Sequence, residues 1–148
     1  MVNSDYIQFL ESTGKQLFGR HFKIYPEDHA TITKLLIYFL KHEQMAHQHN
    51  INLNKGILLT GPIGCGKTSL MTLMRAILPQ EQRFGIKSSR EITFDFIKHG
   101  YEVIQRYSTN AYTSNHQPHK TCFDDLGAES SLKYYGNECN VMGEILLS

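Results

Sequence analysis

Apolar positions along this chain follow two periods, one helical and one strand-like. Near the N-terminus, Ile7, Leu10 and Leu17 predict a short helix over about 6–17, with Gly14 a weak point inside it. Residues 19–26 read as irregular or extended. Ile32, Leu35, Leu36, Phe39 and Leu40 then form one stripe, which predicts a long helix over about 27–47. Pro26 fits just ahead of it, and Glu27 and Asp28 suit its first turn. After a turn at 50–55, the run Gly56-Ile57-Leu58-Leu59-Thr60 is short and apolar, as a parallel strand buried on both faces should be. Leu70, Leu73, Met74 and Ile77 predict a helix over 69–78, stopped by Pro79.

The second half repeats the pattern. Residues 84–87 read as a short strand, and Ser88 with Glu91 makes a capping box. The helix after it runs to about Tyr107 on Ile92, Phe96, Val103 and Tyr107, with Gly100 a point of interruption. Asn110 to His119 is a polar loop, Cys122 and Phe123 are strand-compatible, and 129–137 reads as another loop. Val141, Ile145 and Leu146 predict a final helix over 139–148. Strands alternating with helices predict an α/β fold with a parallel sheet.

The octapeptide Gly61-Pro62-Ile63-Gly64-Cys65-Gly66-Lys67-Thr68 sits between the strand-like run and the helix that follows. It fits G-x-x-x-x-G-K-[ST], the phosphate-binding loop. Each fixed position has a physical task. The glycines let the backbone curl so that N–H groups can turn toward phosphate oxygens. Lys67 supplies a compact charge for the β- and γ-phosphates, and Thr68 a hydroxyl for Mg²⁺. The helix beginning there adds its N-terminal partial charge. The candidate nucleotide-binding residues are therefore Gly61, Pro62, Ile63, Gly64, Cys65, Gly66, Lys67, Thr68 and Ser69. A glycine-rich turn with a surface lysine is the plain alternative.

Such a loop also needs an acid for Mg²⁺ at the end of another strand. Thr121-Cys122-Phe123-Asp124-Asp125-Leu126-Gly127 is the candidate. Asp124 would meet Mg²⁺, and Asp125 would orient and polarise the attacking water, with Lys67 the other catalytic candidate. A solvated acidic turn is the competing reading, because Asp-Asp-x-Gly is also good turn chemistry.

Together GPIGCGKT and CFDDLGAE resemble the AAA+ ATPases of the DnaC-type helicase loaders and the IstB-type transposition helpers. The Walker A loop is shared by many NTPases; the DDLGAE extension, Asp124 to Glu129, narrows the resemblance. It covers roughly 54–148. Asp125 stands where many AAA+ proteins carry Glu. The resemblance implies a P-loop NTPase αβα sandwich, ATP with Mg²⁺, and a cytoplasmic homo-oligomer acting on DNA or on a DNA-bound replicative helicase or transposase. It divides the chain into an N-terminal helical segment, 1–50, and a partial AAA+ domain, 51–148, with residues around Phe22 to Tyr25 near the base. It also implies that the chain is truncated. The strand carrying a polar sensor, which lies between the Walker A and Walker B strands in the family, is not in the sequence, nor are the arginine finger and lid. A sheet without its middle strand, lowered stability and weak or absent turnover are the expectations that follow.

Composition narrows the rest. At 148 residues and a net charge of +1, the chain has no global attraction for polyanions. Cys65, Cys122 and Cys139 form no C-x-x-C pair and read as free thiols in a reducing compartment. The apolar run 35–40 is too short to span a bilayer, and no secretory signal is evident. His42, His47 and His49 lack zinc-motif spacing and read as ordinary histidines at a helix end. Arg83, Lys87, Arg90, Lys98 and Arg106, interleaved with Tyr101 and Tyr107, read either as a face for nucleic acid or as a solvated helix face. Tyr134-Tyr135-Gly136 would stack on a base or pack in its loop. Two other functions compete with the DNA-linked ATPase. A small P-loop kinase would need an arginine-rich lid that the sequence lacks. A nucleotide-binding interaction module would bind without turnover.

Overall fold

A computed structural model describes residues 4–112, 116–128, 132–134 and 137–148, with the side chains at 132–134 and 137–138 left aside. The chain is mixed α/β and forms two compact units, Met1–Arg83 and Phe84–Ser148.

The first unit is helical. Helix α1 spans Ser4–Phe18 and buries Leu10 against the unit's core. Gly14 is tolerated inside it for a steric reason: the Phe22 ring packs on its α-carbon, where a side chain would collide. The long helix expected over 27–47 is broken. A 3₁₀ turn at Pro26–Asp28 leads into α2, His29–Phe39, and a separate α3 covers Glu43–Gln48. The break is a Schellman closure. His42 N–H donates to Ile37 O and Lys41 N–H to Tyr38 O, with Lys41 at φ 54°. A lysine in that role carries no glycine signal. His42 then caps α3, its Nδ1 accepting from Met45 N–H at 3.3 Å. Asn50, also at φ 54°, closes α3 in the same way through Ile51 N–H to Ala46 O. Ile32, Leu35, Leu36 and Ile37 of α2 are buried, as are Met71, Leu73 and Met74 of helix α4, Lys67–Ile77. α4 packs against α1 and α2. Pro79 follows its end as expected, and Arg83 donates from Nε to Leu78 O and from Nη2 to Ala76 O, satisfying the helix's last carbonyls.

The strand expected at Gly56–Thr60 does not form. These residues join no ladder, and Leu58 is 77% exposed. An apolar run becomes a strand only when a second backbone pairs with it, and no described segment does so here.

The second unit holds the parallel pair. Strand β1, Gly85–Ser88, lies beside β2, Thr121–Asp124, in the register Gly85 to Thr121 and Ser88 to Asp124. Between them run α5, Ser89–His99, and α6, Tyr101–Tyr107. Both bonds of the Ser88–Glu91 capping box are made, at 3.1 Å each. Gly100 divides the helices at φ 64°, ψ −147°, a conformation almost confined to glycine. The 129–137 region is more than a loop: Leu132–Tyr134 (β3) pairs antiparallel with Asn137–Cys139 (β4). Glu129, Tyr135 and Gly136 lie outside the described residues, as does the Tyr134 side chain. Helix α7, Val141–Leu147, is capped by Asn140, whose Oδ1 accepts from Gly143 N–H at 2.9 Å. Ile92, Phe96, Val103, Ile104, Val141, Met142 and Ile145 form this unit's core.

Candidate functional site

The octapeptide belongs to the first unit and forms a loop that opens α4. Gly64 and Gly66 have φ 81° and 84°, so both use the left-handed region that glycine enters without cost. Gly66 is the N-cap, and the helix proper starts at Lys67. A helix start has amides without partners inside the helix and a partial positive charge, which together favour an anion. Gly61 is confined from the other side, since a Cβ there would lie 2.9 Å from Cys65 Sγ. Pro62, Ile63 and Cys65 are exposed, as is Thr68.

Lys67 is turned back onto its own loop. Its Nζ donates to Gly61 O at 2.9 Å and Pro62 O at 2.8 Å, with Cys65 Sγ at 3.7 Å. The segment before the loop is fastened to α2 and to the break after it: Tyr38 Oη donates to Lys55 O at 2.8 Å and Lys41 Nζ to Leu53 O at 2.6 Å.

Asp124 and Asp125 belong to the second unit. Asp124 ends β2, and Asp125 begins a tight turn at φ 54°. Ala128 N–H closes the turn on Asp125 O at 3.0 Å, and Gly127 takes φ 90°. Asp125 is exposed and Asp124 half-buried. Two further residues hold this turn, Ser89, which no motif singles out, and Arg90, expected only as part of a basic face. Ser89 Oγ donates to Asp125 O at 2.7 Å, and Arg90 Nε donates to Ala128 O at 3.1 Å. Beside the turn, burial pushes the Cys122 thiol up, and the Asp124 charge adds to that. Thr68 and Asp124 offer hard oxygen donors of the kind Mg²⁺ takes.

Much of the basic and aromatic set is engaged within the fold. Arg83 caps α4, Arg90 holds the acidic turn, and Arg106 pairs with Glu102 at 3.2 Å. Tyr107 packs edge-on against Phe123 and Tyr101 against Phe96. No helix among the described residues is long and apolar enough to cross a membrane. No protein-family model, curated protein or solved structure matches this chain.

Proposed function

We propose that this chain is a P-loop ATPase of the αβα class, acting on DNA or a DNA-bound partner in the manner of the helicase loaders and transposition helpers. One observation carries the reading. The octapeptide that fits the phosphate-loop pattern forms a loop with two left-handed glycines, ending on a helix N-terminus with Lys67 at its first position. That combination of backbone freedom, helix dipole and ammonium suits a polyphosphate.

In this reading Gly61 to Ser69 grip ATP, and Thr68 and Asp124 bind the Mg²⁺ that neutralises its phosphates. Lys67 stabilises charge on the β- and γ-phosphates, and Asp125 orients the attacking water. The DNA-linked role rests on Asp124 to Glu129, whose order matches the extension typical of those families. The cytoplasm and a homo-oligomeric form go with it.

Mg-ATP titration by calorimetry tests the core of the proposal, on the chain as it stands and on Lys67→Ala. Binding that disappears in the variant supports a working phosphate loop. A folded chain that takes up no Mg-ATP overturns it. A chain that binds should next be assayed for turnover with and without DNA, since a metabolite kinase would be indifferent to DNA.

A further inference from the structure

We infer that Ser89 and Arg90 are positioning residues for the acidic turn, holding the backbone of Asp125 in its left-handed conformation. The inference rests on the ATPase reading above and names residues that reading does not use.

Ser89 is completely buried, and a buried hydroxyl must find a partner. It finds the carbonyl of Asp125, 36 positions away, at 2.7 Å. Ser89 is itself braced, because Thr93 Oγ1 donates to Ser89 O at 2.7 Å. The Asp125 carbonyl also accepts from Ala128 N–H, so one oxygen joins the turn's internal bond to its anchor on α5. Arg90 Nε reaches the far end of the same turn at Ala128 O. Two consecutive residues of the first turn of α5 therefore grip both ends of Asp125–Ala128.

The grip has work to do at Asp125. Its φ of 54° lies in the left-handed region, which aspartate enters more readily than most side chains but still at a cost that contacts such as these offset. A carboxylate that must orient water needs its backbone fixed to about half an ångström. Ser88, one residue earlier, does different work: its hydroxyl accepts from Glu91 N–H and closes the capping box of α5. This contrast separates positioning from helix stability.

The test uses the full chain in five forms: unaltered, Ser89→Ala, Arg90→Ala, Ser88→Ala and Asp125→Asn. Single-turnover Mg-ATP hydrolysis and Mg-ATP affinity are measured well below each form's melting temperature. Amide exchange at Ala128 is followed without nucleotide. Ser89→Ala should lower the hydrolysis rate about 10- to 100-fold, the scale of a misplaced catalytic group, with ATP affinity changed less than twofold. Arg90 is exposed, so Arg90→Ala should keep the fold and lower the rate about three- to tenfold. In both, Ala128 exchange should quicken. Ser88→Ala should lose stability yet keep the hydrolysis rate. Unchanged rate or unchanged Ala128 exchange in Ser89→Ala overturns the inference. An unaltered chain that takes up no Mg-ATP, or an Asp125→Asn form as fast as the parent, overturns the ATPase reading itself and the inference with it.

Discussion

Lys67 Nζ lies 2.8 Å from the carbonyl oxygen of Pro62, five residues earlier in the same loop. With Gly61 O as its second acceptor, the ammonium stabilises the curled loop that a phosphate would enter. The lysine thus has two tasks, loop closure and anion binding. The closing bonds compete with the anion for the same three N–H donors.

Lys67→Arg should fail at both tasks. The guanidinium is a planar fork, too wide to sit on two neighbouring carbonyls as a compact ammonium does. A charge-assisted hydrogen bond contributes roughly 1.5–3 kcal/mol, so Mg-ATP affinity should fall about 10- to 100-fold despite the retained charge. Calorimetry measures it directly. An arginine variant that binds as tightly as the parent would show that charge alone sets affinity.

Gly14→Ala poses a contest of signs. Alanine favours a helix interior over glycine by about 1 kcal/mol, yet a Cβ here collides with the Phe22 ring. Overpacking of that kind costs roughly 1–3 kcal/mol, so the collision should win and the variant should melt lower. In a Phe22→Ala background the obstacle is gone, and the same Gly14→Ala change should raise the melting temperature. Thermal unfolding of the four forms decides it. A substitution that stabilises in both backgrounds would mean that the ring simply swings aside.

What could be read from the residue order depended on the range of the interaction. The α4 helix, the capping box of α5 and the break at Gly100 are local, and each shows in a few neighbouring residues. The Gly56–Thr60 strand was misread because its apolar composition says nothing about whether a partner backbone is present. The split at Lys41 was missed because a lysine in the left-handed conformation leaves no glycine to notice. The phosphate-loop residues and the acid pair are contiguous in sequence and so were named as candidates. Ser89 was not, since its bond to Asp125 spans 36 residues and a serine at a helix start suggests only a cap. Arg83, read as part of a basic face, proved to be the C-terminal cap of α4.

Glu11 gives the first unit an acid-sensitive fastening. Its carboxylate accepts from Lys15 Nζ at 2.7 Å and, through the other oxygen, from Ile24 N–H at 3.4 Å. The Lys15 bond first, then the Ile24 amide, hold its pKa below the ordinary value. The folded pKa is depressed, so the stabilisation is present above the ordinary carboxylate range and is lost as pH falls through the folded value. Glu11→Gln should therefore reduce the acid dependence of the melting temperature below about pH 5, with little effect on its slope near neutrality. Melting curves from pH 3 to 7 give the answer. An unaltered acid limb would show that the contact adds nothing in solution.

The three thiols should separate by position. Cys65 is exposed in the phosphate loop, Cys122 half-buried in β2, and Cys139 buried in the second unit's core. Burial pushes both Cys122 and Cys139 up, with Asp124 and Glu144 adding to it, so at mildly alkaline pH each holds less of the reactive thiolate than an ordinary cysteine. Iodoacetamide at pH 8 should accordingly modify Cys65 first, by about tenfold or more, as read by peptide mass spectrometry. Nucleotide adds a second, functional expectation. A polyphosphate seated over Gly61 to Thr68 covers the Cys65 sulfur. Mg-ATP at a hundred times its Kd should then slow Cys65 modification by about tenfold or more, leaving Cys122 and Cys139 unchanged. In Lys67→Ala that protection, measured against the variant's own rate without nucleotide, should vanish. Protection that survives in the variant would place the nucleotide elsewhere on the chain.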